Sequence, residues 1–436
     1  YTVQARAQVD TALFEIVQVP ARGLKDWAGE ALDKGAVIGF DPWLTTIAQV
    51  EQTRGDLEKP GMTFKEIAGN LVDRVRGKDR PAPPSAPVRL HDISLSGEAA
   101  EAKIARLQKA LTDAGHDAAV LTQPDSICWL FNIRGGDVAH NPVALAFAIL
   151  HAKGKPELFI APEKLDAETR RALKTIAHVR GPDALAERLG VLRDGEKTVR
   201  VTPGNTAWWF VRQLGGPKRI ARGADPTTLP KAIKNPVEIE GARAAHVRDG
   251  VAVTRFLAWL DTTAAKGKLD EITAVEKLEA LRAETGALRE ISFDTISGSG
   301  PNGAIVHYRV TRATNRTLQP GELFLIDSGA QYADGTTDIT RTVAIGKPSD
   351  EMRDRFTRVL KGHIAIASAR FPKGTRGVDL DSHARMSLWK AGLDYDHGTG
   401  HGVGSYLSVH EGPQSITKRG CVTLDPGMII SNGPGY

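Results

Sequence analysis

Residues 80–87, RPAPPSAP, carry four prolines in eight positions. Proline fixes φ and has no backbone N–H, so such a run continues neither a helix nor a central strand. It therefore divides the chain. At roughly 100–200 residues per domain, a chain of 436 residues makes two to four domains. The expected division is 1–88 with the linker, 89–232, and 233–436.

Hydrophobic periodicity fills in each part. Before the linker, residues 63–75 read as helix. After it, Ile104, Leu107 and Leu111 recur at helical spacing, with Ser96 placed to cap the helix start. AAVLT (118–122), ICWLFNI (127–133), PVALAFAIL (142–150) and ELFIA (157–161) read as strands. Strands alternating with helices predict an α/β domain. Asn235, Pro236 and Glu238 then form a strong helix start. That helix is expected to reach about residue 260 with Val247, Val251, Phe256, Leu257 and Leu260 inward. Further helices are expected over 270–284, 350–370 (aligning Met352, Phe356, Val359 and Leu360) and 380–391. Together with mostly antiparallel strands they predict an α+β domain.

The net charge of +5, from 57 basic and 52 acidic residues spread along the chain, argues against a nucleic-acid or membrane-surface partner. No apolar run approaches the roughly 18 residues that span a bilayer. Two distant cysteines, Cys128 and Cys421, fit a reducing, cytoplasmic setting better than a disulfide framework.

Two carboxylates stand out. Asp327 ends the apolar run ELFLID, and Asp338 opens the alternating run DITRTVAI. Asp334-Gly335 between them is a hairpin signal. A two-residue turn there would set Asp338 opposite Gln331, roughly 13 Å along the strand from Asp327. A bulge or wider loop near Gly329 is therefore expected. Paired buried carboxylates call for a cation, and hard oxygens suit Mg²⁺ or Mn²⁺; two solvated aspartates at strand ends are the alternative. Downstream, YDHGTGHGVGSYLSVHEGPQ holds His397, His401 and His410. Alternating glycines rule out a zinc-binding helix there and suggest close backbone approach to a ligand. His307 follows in ISGSGPNGAIVHYR. The formal GxGxxG of that stretch is rejected as a dinucleotide site, because Pro301 interrupts it and AIVHY reads as strand.

Together SFDTISGSGPNGAIVHYR, LIDSGAQYADGTTDITRT, HGTGHGVGSYLSVHEGP and KNPVEIEGARAAHVRDGVA strongly resemble the Xaa-Pro aminopeptidases (aminopeptidase P), three-domain branch, of the pita-bread, creatinase/aminopeptidase-like metallopeptidases. The resemblance implies two creatinase-like α/β domains, the first partial, before an α+β pita-bread domain. It implies two divalent ions, most often Mn²⁺, with Asp327, Asp338 and His401 among five ligands. It assigns His307 and His410 to substrate hydrogen bonding and proton transfer, and His397 to the substrate pocket. The implied reaction releases the residue before a proline in second position, in a cytoplasmic homodimer that binds neither nucleic acid nor membrane.

One family ligand is replaced. Where the family has a glutamate in SNEPGYY, this chain has Gly433 in SNGPGY, and the family's last glutamate falls beyond Tyr436. Glu411 belongs to the VHEGP segment and is not expected to substitute. The chain as written is thus expected to have weak or no activity. The alternatives are a prolidase and a non-catalytic pita-bread module that binds peptides or proteins.

Overall fold

The computed structural model describes residues 2–19 and 21–436. Tyr1, where the sequence opens without a methionine, lies outside them.

Before the linker, two short parallel strands, Val37–Phe40 and Thr63–Glu66, are joined through the helix Ile47–Glu58. The helix expected over 63–75 is thus a strand followed by a shorter helix, Leu71–Arg76. Gly69, at φ 74°, breaks the run, and Asn70 caps the new start by accepting from the Asp73 N–H at 3.0 Å.

After the linker comes a mixed six-stranded sheet, ordered Ile220–Arg222, Val199–Val201, Ala118–Leu121, Phe147–His151, Glu157–Phe159, His178–Arg180. The helix Ala100–Asp113 buries Ile104, Leu107 and Leu111. Its N-cap is Ala99; Ser96 ends a separate short helix, Ile93–Ser96. ICWLFNI is not a strand. Pro124 stands at the first turn of the helix Pro124–Leu130, where its missing N–H costs nothing, and Asn132 at φ 48° turns the chain into the strand Ile133–Arg134. An apolar run of that length satisfies a buried helix as well as a strand.

The last part opens on the 29-residue helix Pro236–Ala264, with the Asn235/Glu238 capping box in place. Its buried face runs through Ala245, Asp249, Ala252, Phe256 and Leu260, while Val247 and Val251 are 70% and 57% exposed. A carboxylate in the middle of the buried stripe hid the true face. On the helix Asp350–Ala367, Phe356 and Leu360 are likewise exposed, and the closest packing is at Gly362, where a Cβ would lie 2.1 Å from the Ala384 carbonyl. The helices Glu271–Ala283 and Gly377–Trp389 complete the cover.

Inside lie antiparallel strands: Ile296–Ser299, Leu323–Ser328 and Ile339–Ala344 in one sheet; Leu288–Ile291, Ala330–Tyr332 and Gly335–Thr336 in a second; Gly400–Gly402 and Glu411–Ile416 in a third. AIVHY forms no strand: residues 300–304 are a 3-10 turn, and His307 follows in an exposed turn. Gly298 is glycine because a Cβ would stand 2.8 Å from the Gly303 Cα. No helix among the described residues is long and apolar enough to cross a membrane.

Candidate metal centre

The aspartate hairpin is simpler than its sequence suggests. Asp327 pairs with Thr340 and Ser328 with Ile339; farther out, Gln331 pairs with Thr336 and Tyr332 with Gly335. All four pairs share one register, so the turn is the two residues Ala333 and Asp334. Asp338 then faces Gly329, making it a diagonal neighbour of Asp327 on one face, roughly 7–8 Å away. No bulge or wider loop is needed, contrary to expectation. The turn begins one residue early because Gly335 is wedged on the long helix: a Cβ there would lie 3.0 Å from the Ala245 Cβ and 3.1 Å from the Ala242 Cα. Arg248 holds Asp334 outward through two hydrogen bonds, 3.0 and 2.9 Å.

His401 arrives on Gly400–Gly402, beside Glu411–Ile416. The flanking glycines permit close approach: a Cβ on Gly400 would lie 2.0 Å from the Ser431 carbonyl oxygen, and one on Gly402 2.3 Å from that of Glu411. His401 Nε2 is 3.1 Å from Asp338 Oδ2, and its ring meets His410 edge-on at 4.2 Å. His307 is close enough for its charge to act on His410. His397 stands against Tyr395, 4.7 Å between rings, with Nδ1 on the Gly398 carbonyl at 2.8 Å; Gly435 also packs on its ring. The structure thus gathers Asp327, Asp338, His401, His410 and His307, with His397 on the adjoining loop.

Burial, then the charge of Asp338, pushes the Asp327 carboxyl up to about 6, despite a 2.7 Å hydrogen bond from Thr340 Oγ1. Burial disfavours charged His401, yet the Asp338 hydrogen bond, the Gly402 carbonyl and both aspartate charges outweigh it and raise its pKa. Burial and then the His401 charge lower that of His410. Two crowded carboxylates and an imidazole are donors that suit a divalent ion, and a cation would relieve their repulsion. Among the described residues, no three His, Cys, Asp or Glu side chains are arranged so that they could hold a metal ion together. The donors are turned on each other and on Thr340.

Other residues that hold the site carried no motif. The segment 405–411 is gripped by the middle part of the chain. Buried Arg134 donates to the Tyr406 carbonyl at 2.5 Å and the Ser405 carbonyl at 3.1 Å. Asn141 donates to Ser408 at 3.1 Å. Glu411 is buried in a pair with Lys234 and lies 3.0 Å from Lys231, which also holds Asp125 at 2.7 Å. From the other side, buried Arg385 donates to Asp381, to the Tyr395 carbonyl and to the His397 carbonyl at 2.6–2.8 Å. Gly433 runs beside His401's strand, donating to the Thr399 carbonyl at 2.7 Å. A Cβ at Gly433 would meet only that oxygen, at 3.8 Å.

Residues 240–436 match the metallopeptidase family M24, and residues 79–238 the creatinase/prolidase N-terminal domain. A probable Xaa-Pro aminopeptidase P from Ajellomyces dermatitidis is 42% identical over 429 residues, 94% of this chain and 69% of the relative. One from Aspergillus fumigatus is 43% identical over 424 residues, 94% of this chain and 65% of the relative. The chain therefore spans about two thirds of these relatives. The X-prolyl aminopeptidase of Caenorhabditis elegans, described as a cytosolic enzyme with a di-nuclear active site, superposes with a TM-score of 0.94 at 36% identity, over 100% of this chain and 72% of that one. The Xaa-Pro dipeptidase of Bacillus anthracis shares the fold, with a TM-score of 0.60 at 21% identity over 77% of this chain and 92% of that one. With a creatinase-like N-terminal domain followed by a pita-bread M24 domain, matched in order, this chain belongs to the Xaa-Pro aminopeptidase family of metallopeptidases.

Proposed function

We propose that the chain is a metal-dependent aminopeptidase for peptides with proline in second position, and that Gly433 leaves its ion-binding set incomplete. The observation that carries the reading is the meeting of His401 Nε2 with Asp338 Oδ2 at 3.1 Å, beside Asp327 and His410. Asp327, Asp338 and His401 would hold the divalent ions, two in number as in the C. elegans relative's di-nuclear site, with Mn²⁺ the ion of choice. Such ions, when bound, lower the pKa of water and polarise a carbonyl. His410, kept neutral by burial and by His401, accepts a proton or a hydrogen bond from substrate, and His307 shares that role as the family resemblance implies. His397 lines the pocket from the adjoining loop. Support for a dedicated proline site comes from both fungal relatives, each named a probable Xaa-Pro aminopeptidase P. A homodimer in the cytosol completes the reading, the latter on the C. elegans relative's description.

The test is hydrolysis of an Xaa-Pro-Xaa tripeptide with Mn²⁺, by this chain and by its Gly433→Glu variant. A Cβ at position 433 would meet nothing closer than the Thr399 carbonyl oxygen at 3.8 Å. The variant is expected to raise kcat/KM by about tenfold or more, about 1.4 kcal/mol of added transition-state stabilisation. Vigorous turnover by the unaltered chain would remove the incomplete-set reading. Cleavage of dipeptides alone would make it a prolidase, and no ion binding by either protein would leave a non-catalytic module.

A further inference from the structure

The register of the aspartate hairpin runs unbroken, but its hydrogen-bonded strands do not. Leu323–Ser328 and Ile339–Ala344 form one ladder, Ala330–Tyr332 and Gly335–Thr336 another, and Gly329 and Asp338 fall in the gap between them. Asp338 and Gly329 thus face each other outside both ladders, beside the pair that Thr337 makes with Ala330.

Behind that gap lies a buried carboxylate. Asp249, on the helix Pro236–Ala264, is 0% exposed and takes four hydrogen bonds. Arg282 donates Nε to Oδ1 at 2.7 Å and Nη2 to Oδ2 at 2.9 Å, neutralising the charge. The Tyr332 hydroxyl donates to Oδ1 at 2.9 Å, and Thr337 Oγ1 donates to Oδ2 at 2.8 Å. Tyr332 stands at the turn end of the hairpin, and Thr337 immediately precedes Asp338. Thr337 is tied on every side: its Oγ1 accepts from the Ala330 N–H at 2.9 Å, its N–H reaches the Ala330 carbonyl at 2.9 Å, and its carbonyl accepts from Ser292 Oγ at 2.8 Å. The fit is close, since a Cβ on Gly329 would lie 2.0 Å from Ser292 Oγ and 2.1 Å from the Thr337 carbonyl oxygen.

We propose that Asp249 is a positioning residue: through Thr337 it fixes the gap in the hairpin and so sets Asp338 against His401 and Asp327. The proposal rests on the reading of Asp338 as a site residue, and adds a chain of contacts from the outer helix to it. Buried partners that orient a ligand through another group commonly change metal affinity 10–100-fold when removed.

Asp249→Asn would leave Arg282 buried without its counter-charge and is liable to misfold. Thr337→Val is the cleaner probe, because it keeps the shape, the Asp249–Arg282 pair and the Tyr332 contact while deleting the hydroxyl that joins Asp249 to the residue next to Asp338. The first readout needs neither metal nor activity: long-range ¹H–¹⁵N spectra of the histidine imidazoles in the metal-free full chain at fixed pH. Thr337→Val is expected to shift the His401 ring signals and leave those of His178, on the edge of the six-stranded sheet, in place. Thr337→Ser is expected to restore them. Unmoved His401 signals in a folded Thr337→Val protein would overturn the proposal. The second readout is Mn²⁺ titration, where Thr337→Val is expected to bind about tenfold more weakly than the parent; equal affinity also overturns the proposal. A parent chain that binds no Mn²⁺ brings down the metal-centre reading, while the imidazole spectra still decide the role of Asp249.

Discussion

Asp327 and Asp338 meet through a single hairpin whose turn is two residues long. The segment that ends at His410 is held from much farther away. Its carbonyls are bound by Arg134, which lies 271 and 272 residues earlier in the chain, and Glu411 is neutralised by Lys234, 177 residues earlier. The hairpin half is organised by local pairing and by one helix behind it. The histidine half is rich in glycine and takes its shape from buried cations far earlier in the chain, Arg134, Lys231 and Lys234. One half would survive changes in the rest of the chain better than the other, because long-range contacts order only what the whole fold brings together.

The largest expected break in that comparison is Glu411→Ala. It leaves Lys231 and Lys234 buried with only Asp125 to share. Removing one partner of such a group costs about 3–5 kcal/mol. Denaturant unfolding measures it, and a loss below about 1 kcal/mol would mean that the lysines find water and the histidine half is not held as described.

Acid separates the halves by sign. Burial, then the charges of Arg134 and Lys103, lowers the pKa of His91 from 6.5 to about 2, and its ring lies 5.8 Å from Tyr406 in the histidine half. The unfolded chain then binds the extra proton, so the stability held by neutral His91 is present above pH 6.5 and is lost as pH falls, at about 1.4 kcal/mol per unit. Asp327, raised from 3.8 to about 6, works the other way in the metal-free chain: its contribution is full below pH 3.8 and is lost as pH rises through 6. Between pH 4 and 6 the two slopes oppose each other. His91→Gln is expected to change the slope of unfolding free energy over that window by about 1.4 kcal/mol per unit, so that stability falls with rising pH more steeply than in the parent. Urea titrations at three pH values read it; identical slopes would remove His91 as a source of acid sensitivity.

The smallest effect belongs to the hairpin turn. Asp334→Ala deletes a partly exposed pair with Arg248. Such pairs contribute about 0–1 kcal/mol. The register should hold, because Gly335 against Ala242 and Ala245 sets it. A larger loss in thermal unfolding would show that the pair, rather than glycine packing, fixes the turn.

The sequence was most legible where signals are local and chemical. The Asn235 cap with Pro236 and Glu238 placed a long helix correctly, and the strand runs around Ala118 and Phe147 were found. It was least legible where a polar residue is buried. Asp249 sat among the apolar positions of its helix and turned the inferred face toward Val247 and Val251, both exposed. The Asp334-Gly335 dipeptide is a true turn signal, yet the turn moved by one residue because helix contact needs a glycine in the strand. That contact lies about ninety residues away in sequence and leaves no local trace.

Motifs by themselves were enough to identify the family, and the sequence by itself shows that position 433 carries no side chain. These depend on which atoms are present, and that is written in the chain. The tertiary structure alone decided that Asp338 lies diagonal to Asp327, that His401 Nε2 stands 3.1 Å from Asp338, and that Glu411 belongs to two lysines. Those outcomes depend on which distant groups share one low-dielectric space, where an unpaired charge is too costly to leave and each carboxylate is bound by whichever cation the fold delivers.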